Sequence, residues 1–173
     1  AIGVEFAYFY NTMGVDITIV EYLPNIIPVE DIDVSKQLEK TFKKKGINIM
    51  TNPSVEKVEK SSKGCKVIIK TSKGEEKVDW DIVLSAVGIQ PNIENIGLEE
   101  TGIVVDGGKI VVDDFYQTNI PGYYAIGDVF AGQALAHVAS VDGITCCRKN
   151  SGHHLYSIDS DTIPGVSYFI SVI

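Results

Sequence analysis

Two segments of helical period, each stopped by a glycine and each followed by a β-branched run, constrain this chain more than any other feature. In AIGVEFAYFYNTMG, Ile2, Phe6, Phe9 and Met13 recur at spacings of four, three and four. That is one face of an amphipathic helix, and Gly14 supplies the left-handed residue that ends it. VDITIVEYLP then has the β-branched density of a short buried strand with Glu21 at its C-terminal end. The stretch from Asp31 to Gly46 repeats the pattern: Asp31 or Asp33 can cap a helix, Val34, Leu38, Thr41 and Phe42 line one face, and Lys43, Lys44 and Lys45 sit where the dipole favours cations. Gly46 closes it, and residues 47–50 read as the next parallel strand. Parallel neighbours need a long crossover, usually a helix, so this order predicts an α/β layer.

The texture changes after residue 54. VEKVEKSSKGCKVIIKTSKGEEKVDW contains three short strands with turn signals at Ser61-Ser62-Lys63-Gly64 and Ser72-Lys73-Gly74, which predicts an antiparallel meander. Residues 82–86 are apolar enough to rejoin the buried sheet as a strand. Further strands are expected at 110–112 and 123–126, and a helix at 133–147. The tail from 149 onward, with Gly152, Pro164 and Gly165, carries only weak strand signals.

A chain of 173 residues has room for one ordinary domain or two small ones, and 45% hydrophobic with 22% charged content reads as globular rather than disordered. The net charge of −8 repels phosphate backbones and anionic lipid, so neither nucleic acid nor membrane is an expected partner. No apolar run approaches the roughly 18 to 20 residues that span a bilayer, and the start lacks the basic flank and cleavage site of a signal peptide. Cys65, Cys146 and Cys147 are an odd, sparse set without metal-ligand spacing, which suits a reducing compartment and no disulfide framework.

Two constellations carry chemistry. Gly3 in the first helical turn and Glu21 at the following strand end stand 18 residues apart. In a dinucleotide-binding unit, glycines bring the backbone close to a pyrophosphate at a helix N-terminus, and an acid about 20 residues on accepts ribose hydroxyls. Taken alone, the two residues fit an ordinary α/β unit as well. A carboxylate at Glu21 repels a 2′-phosphate and neither Tyr22 nor Leu23 neutralises one, which favours NAD over NADP. The second constellation is TNIPGYYAIGDV followed by AGQALAHVAS. Here Asp128 ends a strand-like run and a glycine-containing turn leads into a helix whose first amides could face an anion or an electron-rich ring. Asp128 reads equally as a turn or capping residue.

Taken together, AIGVEFA, the strand ending in Glu21, LSAVGIQPN, TNIPGYYAIGDV and LAHVAS resemble, in order and over nearly the whole chain, the pyridine-nucleotide-disulfide oxidoreductases. Leu135-Ala136-His137 is similar to the lipoamide-oxidising branch and unlike the glutathione and mercuric reductases. The resemblance implies a three-layer α/β NAD(P)-binding domain of the two-dinucleotide flavoprotein type over residues 1–112, a return segment of an FAD-binding domain over 113–149, and the start of a dimerisation domain over 150–173. It implies that Ala1, Ile2, Gly3, Val4 and Glu5 meet the NAD pyrophosphate and nicotinamide, with Glu5 near the carboxamide. Glu21 would hold the adenosine ribose, and Val55 and Gly88 would offer backbone on the adenosine side. Asp128 would hold the FAD ribityl chain, and Ala134, Leu135, Ala136 and His137 would meet the flavin pyrimidine edge.

The implied activity is oxidation of dihydrolipoamide, carried on a lipoyl domain of a 2-oxo acid dehydrogenase complex or a glycine cleavage system, with electrons passing through FAD to NAD⁺. A homodimer in the cytoplasm, or in the mitochondrial matrix of a eukaryote, goes with it. The family's N-terminal redox cysteine pair and C-terminal His-Glu pair have no counterpart in these 173 residues, so the expectation is a part of a longer chain that supplies cofactor contacts and no catalytic residue. Adjacent Cys146 and Cys147 cannot form an unstrained bridge on a helix and are expected to be ordinary thiols. His153 and His154 are expected in a solvated loop, and YFISVI departs from the family's usual Thr/Ser-Pro-Glu. The alternatives are a noncatalytic NAD-binding or interaction module, and another disulfide reductase or NADH oxidase on the same scaffold.

Overall fold

The computed structural model describes residues 1–153, 159, 162–166 and 168. It divides into two compact units, Ala1–Val87 with Val166–Ile173, and Gly88–Gly165.

In the first unit, helix α1 (Ile2–Thr12), strand β1 (Thr18–Glu21), helix α2 (Ile32–Lys44) and strand β2 (Asn48–Thr51) follow in the expected order. β1 and β2 pair in parallel, Thr18 opposite Asn48 and Glu21 opposite Thr51. Both helices end as their glycines require: Gly14 and Gly46 lie at φ +87° and +83°. Their amides donate to Asn11 and Lys43, while those of Val15 and Ile47 reach back to the carbonyls of Tyr10 and Phe42. Asp31 is the α2 N-cap, its Oδ1 accepting from the Asp33 amide at 2.7 Å. The core joins Val4 and Ala7 of α1, Leu38 and Phe42 of α2, Ile47, and Ile26 and Ile27 from the β1–α2 connection. Burial of a side chain the size of Phe42 contributes roughly 2 to 3 kcal/mol.

Strands β3 (Ser54–Ser61), β4 (Gly64–Thr71) and β5 (Gly74–Trp80) form the expected antiparallel meander in the order β3-β4-β5. Its two turns share one device. The Lys63 amide donates to Ser61 Oγ, which donates to the Gly64 carbonyl; Lys73, Thr71 and Gly74 repeat the arrangement. Val67 and Ile69 of the central strand are buried.

Four expectations need correction. The stripe Ile2, Phe6, Phe9 and Met13 is the exposed face of α1, and Val4 and Ala7 face the core. The helix is apolar on most sides, so period alone could not select the buried face. Small side chains let its backbone approach the core closely, while Phe6, Phe9 and Tyr10 pack on one another outside. On α2, Leu38 and Phe42 are buried as expected, but Ser35 takes the place assigned to Val34, which is exposed, and Thr41 is half-buried. Residues 82–86 form no strand and stay outside, Ile82 at 82% exposure, because no ladder partner lies beside them among the described residues. The strands expected at 110–112 and 123–126 reduce to a two-residue pair and an isolated bridge. These are β6 (Val105–Asp106) with β7 (Lys109–Ile110), and Gln117 with Tyr124.

The second unit also contains the short helix α3 (Leu98–Thr101), a single 3-10 turn (Gly127–Val129) and helix α4 (Ala136–Asn150). Asn119 ties the segment after α3 in place: its Oδ1 accepts from the Val104 amide and its Nδ2 donates to the Gly102 carbonyl, both at 2.9 Å. α4 starts and ends three residues later than the sequence predicts. The Leu135 amide donates to Gln133 and holds an extended approach, and Gly152 sets the stop, with His153 reaching back to Arg148. His153 is exposed as expected; His154 and most of YFISVI lie outside the described residues. Cys146 is buried and Cys147 exposed, both as free thiols. No helix among the described residues is long and apolar enough to cross a membrane.

Candidate functional site

The first unit gathers its candidate residues at one edge. α1 leads back to the start of β1, so the N-terminus of α1 and the C-terminal end of β1 lie at the same end of the layer. β2 is parallel to β1, so its end and the beginning of β3 join them there. α1 has no side-chain cap. The amides of Val4 and Glu5 both return to the Ala1 carbonyl at 3.1 Å, while those of Ile2 and Gly3 precede the first helical bond and project from the helix end. Val4 is buried in the core, which leaves its backbone as the part open to a ligand. Gly3 faces the run at 82–86: a methyl group in its place would meet Ala86 Cβ at 3.4 Å, an ordinary contact.

Glu21 is half-buried at the tip of β1, where its Oε1 accepts from the Leu23 amide at 2.9 Å and its other oxygen remains for a ligand. The Leu23 carbonyl in turn accepts from the Asn52 amide at 3.3 Å, and Asn52 turns the chain at φ +66° into β3. Val55, three residues on, is exposed and precedes an irregularity in the β3–β4 register. The structure thus brings Glu21 and the start of β3 together through one backbone hydrogen bond. Gly88 opens the second unit at φ +125° with nothing within 4 Å of the position a Cβ would take.

Glu5 is expected at this edge, but its partner is not visible in the sequence pattern. Glu5, half-buried, accepts from the Tyr168 amide at 2.6 Å, a contact across 163 residues that no local spacing announces.

In the second unit, Asp128 is presented by the 3-10 turn and is exposed. Small residues let that turn lie on α4. A methyl at Gly127 would meet Ala139 Cβ at 3.3 Å, and one at Gly143 would meet Ile126 Cδ1 at 3.2 Å. The Phe130 ring folds over Gly132, where a Cβ would come within 2.6 Å of it, so the turn admits no side chain without moving the ring. Ala134, Leu135, Ala136 and His137 straddle the start of α4, whose N-cap Leu135 is extended and offers no side-chain cap. Asp128 and an uncapped helix start are therefore held on one small-residue seam, which suits a polyhydroxyl chain beside an electron-rich ring.

Behind this seam lies a pair the sequence reading missed. Asp142 of α4 is 2% exposed and receives the Tyr116 phenol, while its Oδ2 has no hydrogen-bond partner among the described residues. Tyr116 is itself buried at φ +67° with its ring edge-on to Phe130 at 5.5 Å. Burial, reinforced by the bond to Asp142, pushes the Tyr116 phenol well above the usual tyrosine range. Burial likewise raises the Cys146 thiol, aided by Cys147 and Asp113, which makes it a poor nucleophile.

The parallel α/β layer and the antiparallel meander fit one class of protein: the chain belongs to the pyridine nucleotide-disulphide oxidoreductase family, whose model matches residues 1–143. Its relatives carry a more specific name. A dihydrolipoyl dehydrogenase of Rhizobium etli is 43% identical over 170 residues, covering 97% of this chain and 35% of the relative. One of Mycobacterium leprae is 43% identical over 155 residues, covering 88% of this chain and 33% of the relative. Among solved structures, Mycobacterium tuberculosis LpdA superposes with a TM-score of 0.82 at 30% identity, over 91% of this chain and 34% of that one. The HOCl-induced flavoprotein disulfide reductase RclA of Escherichia coli gives 0.81 at 27% identity, over 96% and 37%. The chain thus spans about a third of the length of the relatives it matches.

Proposed function

We propose that this chain is the cofactor-positioning part of a dihydrolipoyl dehydrogenase, with residues 1–112 as its NAD-binding domain, 113–149 as the returning segment of its FAD-binding domain and 150–173 as the start of its interface domain. The observation that carries this is Glu21: a carboxylate at the C-terminal tip of a parallel strand, at the same edge as the uncapped α1 N-terminus. The names of the relatives support the substrate class.

In this reading the Ile2 and Gly3 amides face the NAD pyrophosphate, Glu21 accepts the adenosine ribose hydroxyls, and the backbone of Val55 and Gly88 borders the adenosine. Glu5 orients the carboxamide end, with the Tyr168 amide fixing its carboxylate. Asp128 accepts ribityl hydroxyls, and the α4 start, through Ala134, Leu135, Ala136 and His137, places its amides toward the pyrimidine edge, where the helix dipole favours negative charge. FAD, when bound, supplies the two-electron passage between a dithiol and NAD⁺. The residues of this chain hold and orient; none is assigned a bond-making role. The intact protein would act as a homodimer on a lipoyl domain of a 2-oxo acid dehydrogenase complex or glycine cleavage system, in the cytoplasm or mitochondrial matrix.

The likeness to RclA favours a second reading, another flavoprotein disulfide reductase on the same scaffold. NMR titration of the chain tests the shared part. NAD should shift the amides of Ile2, Gly3, Glu21 and Val55, and NADP should bind more weakly; equal affinity for the two, or shifts confined elsewhere, refutes the NAD site. Turnover of dihydrolipoamide by a protein of full relative length separates the two readings.

A further inference from the structure

The dipeptide Asp-Gly stands at two places in the chain, 106–107 and 142–143, and the fold treats them in opposite ways. Asp106 ends β6, and Gly107 and Gly108 make the turn into β7 at the positive φ, +55° and +78°, that a two-residue hairpin loop favours. Residues 105–108 are all exposed, and the Asp106 carboxylate has no hydrogen-bond or ion-pair partner among the described residues. The pairing around it is slight. Val105 lies opposite Ile110 and Asp106 opposite Lys109, and the Val111 amide on the Val104 carbonyl closes the base. A ribbon of that length is marginal by itself and opens at small cost. Asp142-Gly143 is the reverse case. It lies in the middle of α4, where the Gly143 amide belongs to the helix ladder, and the buried Asp142 receives the Tyr116 phenol.

From this contrast we infer that Asp106 is a site of spontaneous backbone rearrangement to isoaspartate, and that the fold protects Asp142 from the same reaction. The Gly107 amide nitrogen attacks the Asp106 side-chain carboxyl carbon, and a C–N bond forms. With one proton from solvent, a carboxylate oxygen and the amide hydrogen leave as water, and a five-membered imide results. Water then opens the imide. Cleavage between the nitrogen and the side-chain carbon restores aspartate; cleavage at the α-carbonyl leaves the main chain running through the side-chain carbon. The reaction consumes no oxidant, metal or cofactor. Glycine suits the attacking position because no Cβ shields its nitrogen and its backbone rotates freely. The product carries one extra methylene in the main chain and cannot keep Asp106 opposite Lys109. β7 holds the buried Ile110, which bridges to Phe130, so loosening there passes to the segment that presents Asp128.

The test ages the full 173-residue chain at neutral pH and body temperature in water enriched in heavy oxygen. Peptides are mapped by mass spectrometry, with fragmentation that separates aspartate from isoaspartate. Each opening of the imide places one heavy oxygen in the peptide. In the folded chain the peptide with Asp106 should take up label roughly tenfold or more faster than the peptide with Asp142, whose reaction requires α4 to open. In urea, with the chain unfolded, the two should react at similar rates. Asp106→Glu, which would have to close a six-membered ring, should abolish uptake at that position. Equal uptake at Asp106 and Asp142 in the folded chain, or uptake that persists in Asp106→Glu, overturns the inference. So does a folded chain unlabelled at Asp106 over a period in which the unfolded chain reacts.

Discussion

Removing the Tyr116 hydroxyl should destabilise this chain more than any other single-oxygen deletion in its second unit. Tyr116→Phe keeps the ring against Phe130 but strips the phenol donor from a carboxylate that is 2% exposed and whose Oδ2 already has no partner among the described residues. Losing a hydrogen bond to a charged group while its partner stays buried and orphaned costs about 2 to 4 kcal/mol. With a urea slope near 2 kcal/mol per molar, the midpoint should fall by about 1 to 2 M. Asp142→Asn retains an acceptor for the phenol and should cost less. The double variant Tyr116→Phe, Asp142→Leu should recover part of the loss, because both polar partners leave together. The pH dependence follows from the raised phenol. The folded chain keeps its Tyr116 proton above pH 10, where an unfolded tyrosine gives its proton up, so this contribution is complete below pH 10 and is lost as pH rises further. Tyr116→Phe should flatten that alkaline decline. A midpoint shift under about 0.25 M, or singles that add without coupling, would refute the reasoning.

Three further outcomes are expected. Glu21→Ala should weaken NAD binding about tenfold to a hundredfold by calorimetry, the range for losing charge-assisted hydrogen bonds to ribose hydroxyls, and an unchanged affinity would remove Glu21 from the site. Gly64→Ala puts a methyl 2.5 Å from the Trp80 carbonyl at φ +135°, so a loss of about 2 kcal/mol or more should appear in urea unfolding; a loss below 0.5 kcal/mol would mean the turn can shift. Asp31→Ala removes the α2 cap and should cost about 1 kcal/mol, with faster amide exchange at Asp33 as its local signature.

What the sequence disclosed was local. Gly14 and Gly46 stop their helices because a left-handed residue is a requirement of the backbone itself, and Ser61 to Gly64 makes a turn from four neighbours. The position of Glu21 at a strand tip followed from the same short-range logic. What it concealed depends on distant partners. Residues 82–86 have strand composition but pair with nothing among the described residues, and α1 presents apolar groups on several sides, so its buried face is chosen by what packs against it. Tyr116 and Asp142 are 26 residues apart, and Glu5 and Tyr168 are 163 apart. Neither pairing leaves a periodic trace.

The two tight hairpins also set a timetable for folding. β3, β4 and β5 join through loops of two residues, so closing them brings together neighbours in sequence at small entropic expense, on the microsecond scale of isolated hairpins. β1 must instead find β2 across a separation of 30 positions, from Thr18 to Asn48, with α2 lying between them. The meander is therefore expected to close first in the first unit, and the edge bearing Glu21 to follow on a scaffold already standing.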